Sequence, residues 1–294
     1  MSQKRNLIMF ILLGFFLCAF VIGTFFDLQI NSAIFSSMNP FGLTISVLEP
    51  VISYGIIAFI GGGMIVYGLR KDFKTWLRVF FFISVVACYG CAVFFAGNEF
   101  FGANGFTNKS LMWLGYVMMV PVMAGISFFG YKVTSKSDNE NLWIIYLVLL
   151  AAFVIAIVPG TTLIKVIFHR PRFRSVVGSE MEYYAWYQPC TNYKYQMALY
   201  NLESEEFKSF PSGHSTRAIG LCLFVLFLPY INKKYDKLVL PLFIAGLAWA
   251  LLVMFCRMLV GAHYLSDVSM GAVITITCML IGSIVLKNIK KLSE

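Results

Sequence analysis

The chain has 294 residues, of which 59% are hydrophobic and only 13% are charged, and its formal net charge is +9. Soluble globular domains carry about 25% charged residues, so this composition excludes an ordinary soluble protein. Apolar stretches of roughly 20 residues recur, and each is long enough to cross a hydrocarbon core of about 30 Å. We therefore predict an all-α, polytopic transmembrane helical bundle that forms a single domain over residues 1–294.

In chain order, hydropathy predicts about eight spans, with a six-helix bundle as the alternative. The first apolar run is too long for a secretory signal peptide and lacks a small-residue cleavage site, so we predict a retained span. The predicted spans are 6–26, 50–69, 76–97, 111–133, 142–164, 213–231, 239–257 and 264–286.

The second span is predicted to begin at Pro50, because proline is favoured in the first turn of a helix. Residues 41–48 before it are then an interfacial segment. Within the same span, the run Gly61-Gly62-Gly63 predicts close packing against another helix.

Positive charges predict how the spans are oriented. An eight-span order places most Lys and Arg residues on one side, which the positive-inside rule makes cytoplasmic. We therefore predict a multi-pass protein of the cell membrane with both termini in the cytoplasm. Because the charge is explained by orientation, no nucleic-acid partner is predicted. On the opposite side, the loop before residue 111 has only one Lys or Arg residue, Lys109. The clustered charges are Lys4, Arg5, Arg70, Lys71, Lys74, Lys132, Lys136, Lys233, Lys234, Lys237, Lys287, Lys290 and Lys291.

A long polar insertion at 168–211 lies on the predicted outer side and is rich in aromatic residues, as in YYAWYQP. Such side chains anchor a segment at the membrane–water interface, and binding to a sugar or lipid headgroup is the alternative. A basic cluster begins this region, and an anionic ligand would explain charge on this side. The cluster is Lys165, Arg170, Arg172 and Arg174.

Three stretches on this outer side contain side chains that can bind an anion or take part in a reaction. In KVIFHRPRF, Lys165 and Arg172 are seven residues apart, so an ammonium and a guanidinium could hold one phosphate from two directions. Nonspecific binding of anionic lipid explains this stretch equally well.

The second stretch, FPSGHSTRAIG, brings Ser212, Gly213 and His214 to a helix start, where backbone N–H groups bind anions and a histidine can donate a proton. A simple serine cap is the alternative. Arg217 in the same stretch is either a further headgroup contact or a snorkelling side chain.

The third stretch, CRMLVGAHYLSD, contains Arg257, His263 and Asp267. The spacing of the last two puts them on one helix face, where the carboxylate can fix the ring tautomer and leave the other nitrogen to attack. A structural hydrogen bond is the alternative, but ionisable groups near membrane depth are costly and by default functional. Helix order places all three stretches on one membrane face, and the chain's histidines, His169, His214 and His263, all lie in them.

Together the three stretches resemble the type 2 phosphatidic acid phosphatase superfamily of membrane lipid phosphatases. The family pattern is Lys-x6-Arg-Pro, then Pro-Ser-Gly-His, then Ser-Arg-x5-His-x3-Asp, and the resemblance covers roughly 160–270. It implies a catalytic core over 142–286, with 168–211 as its outer loop. Two residues depart from the pattern: Phe173 replaces proline, and Cys256 replaces serine with a weaker hydrogen-bond donor. We expect weaker phosphate contact from the second change, without loss of activity.

The resemblance implies that His263 is a nucleophile that forms a phosphohistidine and that Asp267 orients it. His214 would protonate the leaving oxygen and then activate water. No cofactor or metal is implied, because the cations are side chains and no carboxylate cluster with metal spacing occurs. The phosphate-binding residues would be Lys165, Arg172, Ser212, Gly213 and Arg257.

The predicted function is hydrolysis of a lipid phosphate or diphosphate at the outer face, with the bilayer and its lipids as partners. Substrates of this kind are phosphatidic acid, phosphatidylglycerol phosphate and a polyprenyl diphosphate. A lipid phosphotransferase with the same site is one alternative. A non-catalytic binder or transporter of anionic lipids is another, but it leaves the oriented His263–Asp267 pair unexplained.

Overall fold

The computed structural model describes residues 2–102, 112–179 and 181–289. Within these ranges the chain forms helices joined by turns, and no strand is present. Eight helical segments there are long and apolar enough to cross a membrane. The predicted all-α polytopic bundle is therefore confirmed.

Most of these segments are single long helices. The fifth is divided, because a π-helical turn at Val158–Leu163 separates the helix Leu142–Ile157 from the short helix Ile164–Phe168. The helices are α1 (Ser2–Ile34), α2 (Pro40–Gly68), α3 (Thr75–Gly102), α4 (Met112–Thr134), α5 (Leu142–Ile157), α6 (Ile164–Phe168), α7 (Phe173–Ser179), α8 (Tyr193–Tyr200), α9 (Gly213–Phe224), α10 (Leu228–Ile231), α11 (Asp236–Leu259) and α12 (Leu265–Asn288).

The predicted start of the second span at Pro50 is wrong. Helix α2 begins ten residues earlier, at Pro40, and Pro50 lies inside it. Pro40 has the backbone angle that favours a first helical position, so it serves as the start that was assigned to Pro50. Pro50 has no N–H and cannot donate to the carbonyl of Ser46 four residues before it. That carbonyl is important in the site described below.

The contacts of the chain divide it into two compact units. The first comprises Met1–Ser46, Ala152–Leu223 and Gly246–Ser283, and it contains all residues of the three predicted motifs. Within it, α1 lies directly against the start of α12, because a Cβ atom on Gly23 would be 2.5 Å from the backbone nitrogen of Ser266.

The second unit comprises Val47–Ala151, Phe224–Ala245 and Ile284–Glu294. Here a Cβ atom on Gly62 would be 1.8 Å from the carbonyl oxygen of Ser127 in α4. The glycine run in α2 therefore permits backbone contact with α4, as predicted.

Some of the residues used to predict orientation lie outside the described ranges. These are Lys109, Lys290 and Lys291, together with the first residue of the predicted fourth span at 111.

Candidate active site

The site is built where several helix ends meet in the first unit. Helix α6 carries Lys165 and is followed by His169, whose backbone is left-handed with φ 44°. Ser212 precedes the first residue of α9, and Arg257 lies in the last turn of α11. His263 lies in the turn between α11 and α12, and Asp267 in the first turn of α12.

The ring of His263 is buried and held by a backbone carbonyl. Its Nδ1 lies 2.7 Å from the carbonyl oxygen of Ser209, whereas the nearest Asp267 oxygen is 3.7 Å away. The sequence predicts that Asp267 accepts a hydrogen bond from the ring of His263, but in the structure the carbonyl oxygen of Ser209 is closer to this ring. An Nδ1–H that donates to Ser209 leaves Nε2 with its lone pair, and this assignment of the tautomer follows from the hydrogen bond.

The charge state of His263 suits a nucleophile. Burial is the largest cause that lowers the pKa of His263, and the cations Arg257 and Lys165 lower it too, so the pKa is about 3 although Asp267 opposes them. The imidazole is therefore neutral at neutral pH, so its unprotonated nitrogen is available to attack.

Asp267 is fixed by three donors from different parts of the unit. Its Oδ2 accepts from the hydroxyl of Ser209 at 2.5 Å and from the backbone N–H of Tyr264 at 2.8 Å. Its Oδ1 accepts from Nη1 of Arg170 at 2.6 Å. The carboxylate therefore has a fixed position 3.7 Å from His263 even without a direct hydrogen bond to the ring.

Arg170 pairs with two carboxylates in the site. Its side chain is wholly buried, and its guanidinium bonds to Asp267 and, through Nη2 at 2.9 Å, to Asp27 of α1. Arg174 pairs with Glu206. Two members of the basic cluster are therefore neutralised within the protein, so an anionic ligand is not needed to explain their charge.

Arg172 is different, because one of its donors has no partner. Its Nε donates to the carbonyl of Glu205 at 2.9 Å, and its backbone N–H donates to that of Glu206 at 2.8 Å. Its Nη1 is buried and has no hydrogen-bond partner among the described residues. A buried donor without a partner is costly, so an acceptor such as a phosphoryl oxygen would satisfy it.

The start of α9 is bordered by positively charged side chains. The backbone N–H of Ser212 donates to the carbonyl of Asp267 at 3.0 Å, which ties α9 to the helix that follows His263. A Cβ atom on Gly213 would lie 3.7 Å from Nη1 of Arg217 and 3.8 Å from Nζ of Lys165. Two cations therefore border the glycine. Arg217 is buried here, which does not match a snorkelling side chain.

His214 is also buried, and its Nε2 lies 3.3 Å from the carbonyl oxygen of Ser46, the oxygen that Pro50 cannot bond. The ring is within electrostatic reach of Arg257, Lys165 and His263. The structure therefore brings the two predicted catalytic histidines into one charged region.

Several residues of this region have no signal in the sequence motifs. Ser209, Asp27 and Asn31 are polar positions that no motif includes. Only the cost of placing Asp27 inside an apolar span could have indicated it.

The two residues that depart from the family pattern are both buried. Phe173 packs edge-on against Phe35, with ring centroids 5.2 Å apart, and Cys256 lies in α11.

Residues 141–291, half of the chain, match a family described as the PAP2 superfamily. The chain belongs to the PAP2 superfamily. Membership in the PAP2 superfamily supports a phosphatase that hydrolyses phosphoric esters of lipids in general terms, and the eight apolar helices agree with a multi-pass membrane protein. No solved structure matches the chain.

Proposed function

We propose that this PAP2 superfamily member hydrolyses a phosphate monoester or diphosphate of a membrane lipid through a phosphohistidine on His263. The observation that carries the proposal is the buried, neutral ring of His263, whose Nδ1 is bound by Ser209. Cationic side chains surround this ring, as the negative charge of a phosphoryl group requires.

In the first half-reaction, Nε2 of His263 attacks phosphorus, and the bond from phosphorus to the lipid oxygen breaks. The leaving oxygen takes a proton from His214, for which the bound phosphate would favour the imidazolium form. Lys165, Arg172 and Arg257 hold the phosphoryl oxygens, and the free Nη1 of Arg172 is one donor that this role would satisfy.

In the second half-reaction, His214 accepts a proton from water, and the resulting hydroxide attacks phosphorus as the bond to His263 breaks. This releases inorganic phosphate and restores both rings. Positive side chains perform the electrostatic work in both steps, so we expect the reaction to proceed with a chelator present. From the positive-inside pattern, the site would face the outer side of the cell membrane.

The experiment compares the same substitution at the chain's three histidines. Purified protein in detergent, with chelator, is given phosphatidic acid, phosphatidylglycerol phosphate and a polyprenyl diphosphate, and released phosphate is measured. We expect His263→Asn to abolish release and His214→Asn to reduce it at least about a hundredfold.

His169→Asn is the matched control. His169 stacks on Tyr193 with ring centroids 3.6 Å apart, and asparagine tolerates its left-handed backbone, so its activity should stay near that of the wild type. Full turnover by His263→Asn would refute the assignment of His263 as the nucleophile. Lipid binding without any phosphate release by the wild type would instead indicate a binder or transporter.

A further inference from the structure

Helix α1 lies outside the matched family segment, yet it presents polar side chains to the site. Asp27 and Asn31 are four residues apart, so they lie on one face of the helix. Both are buried, in a segment whose other residues are largely apolar. Polar groups at membrane depth are costly unless they have a specific role, so their partners are informative.

Asp27 binds the start of α12 and the buried guanidinium together. Its Oδ1 accepts from the backbone N–H of Ser266 at 2.9 Å, and its Oδ2 accepts from the hydroxyl of the same serine. Oδ2 also accepts from Nη2 of Arg170, whose Nη1 donates to Asp267. One guanidinium therefore joins the carboxylate of α1 to the carboxylate beside His263.

Asn31 contacts the turn that carries the nucleophile. Its Nδ2 donates to the backbone carbonyl of His263 at 2.9 Å. The close approach at Gly23 brings α1 against the backbone of α12 one turn before Asp27. The turn with His263 is thus held from α1 by its own carbonyl and by the helix start that follows it.

We infer that Asp27 and Asn31 are positioning residues, so that α1 completes the active site by holding His263 and Asp267 in place through Arg170. The inference rests on the proposed phosphohistidine chemistry. Its physical basis is charge, because the buried guanidinium of Arg170 lies between two carboxylates. Its other hydrogen-bond partners are neutral groups of Ser266, Tyr183 and Tyr184. Without the charge of Asp27, the attraction between Arg170 and Asp267 is no longer balanced, and it would draw Asp267 away from His263.

The test uses Asp27→Asn, which keeps the shape of the side chain but removes its charge, and Asn31→Ala. Steady-state kinetics are measured with the best lipid phosphate of the panel. Formation of acid-labile phosphoenzyme is measured after rapid mixing. We expect kcat and the phosphorylation rate to fall at least about tenfold in Asp27→Asn and about threefold in Asn31→Ala. KM should stay within about threefold, because neither residue touches the phosphate.

The matched control is Ser283→Ala, which removes the hydrogen bonds from Arg5 to α12 at the other end of the same helix pair. Its kcat should stay within about twofold of wild type. The inference is overturned if both α1 variants keep wild-type kcat, or if the control loses as much as they do. If Asp27→Asn does not purify as a folded protein, Asn31→Ala decides by the same criteria.

Failure of the proposed function is a separate outcome. If the wild type releases no phosphate from any substrate, the proposed chemistry is wrong. Binding of orthovanadate, which is an analogue of phosphate, then tests the positions of the site residues by calorimetry. Weaker binding in Asp27→Asn than in Ser283→Ala supports the positioning role, and equal binding overturns it.

Discussion

Gly271 of α12 offers the sharpest test of the geometry at the start of α9. A Cβ atom at this position would lie 2.4 Å from the carbonyl oxygen of Ser212 and 3.1 Å from the hydroxyl of Thr216. Ordinary contacts of a Cβ atom begin at 3.4 Å, and the nearest neighbour here is backbone, which cannot rotate away. Gly271→Ala must therefore displace the start of α9 by about 1 Å.

This displacement moves His214 relative to His263, because His214 lies in the first turn of α9 and His263 lies in the turn that leads into α12. A misplacement of about 1 Å costs on the order of a hundredfold in rate when reacting groups must be aligned. We expect kcat of Gly271→Ala to fall between about tenfold and a hundredfold in the phosphate-release assay. The free energy of unfolding should also fall by about 1–3 kcal/mol, as for other overpacked sites.

Two other glycines serve as controls in the same assay. Gly14 in α1 has no atom within 4 Å of its added Cβ, so Gly14→Ala should leave activity unchanged. At Gly160 the nearest atom is Cγ2 of Ile274 at 2.5 Å, and this methyl group is restricted because Ile274 is β-branched and lies in a helix. Gly160→Ala is therefore an overpacked change away from the start of α9, and kcat should fall less than in Gly271→Ala. Activity of Gly271→Ala within twofold of wild type would show that the start of α9 does not set the catalytic geometry.

Two further predictions concern carboxylates. Burial by itself would raise the pKa of Glu206, but hydrogen bonding to Arg174 and the nearby arginine charges outweigh it and lower the pKa to about 2. Since the folded pKa is below the unfolded one, about 3 kcal/mol of stability is present above pH 4.5 and is lost as pH falls toward 2. Thermal unfolding in detergent should show this loss, and Glu206→Gln should remove that part of it. Asp267→Asn should lower kcat about a hundredfold with KM within about threefold, and an equal rise in KM would contradict a role in the transition state.

The sequence was sufficient to predict the number of spans and the family, because both depend on local signals. Apolar runs of bilayer length predict helices whatever their neighbours, and a three-part motif with fixed spacing predicts the family. The start of α2 is predicted wrongly because both Pro40 and Pro50 are suitable first residues of a helix. In the structure α2 begins at Pro40, and Pro50 lies within the helix.

The partners within the site were harder to predict, because they come from distant parts of the chain. Ser209 binds both His263 and Asp267, but a serine near a motif has no pattern that indicates its carbonyl as an acceptor. Asp27 is separated from Arg170 by 143 positions, and only the folded chain shows that the two side chains meet. Arg170 and Arg174 have carboxylate partners within the protein, which the sequence does not show. A ligand is therefore not needed to explain the charge of these two members of the basic cluster.

The 3.7 Å between Asp267 and the ring of His263 is consistent with catalysis because charge appears on the ring only during the reaction. In the resting protein the imidazole is neutral, so a carboxylate at this distance gains little from it. When Nε2 bonds to phosphorus while Nδ1 keeps its proton, the ring becomes positive, and the fixed carboxylate then stabilises it. An interaction that strengthens only on the way to the phosphohistidine lowers the barrier without tightening substrate binding. The hydrogen bonds from Ser209, Tyr264 and Arg170 keep Asp267 in that position before any charge forms.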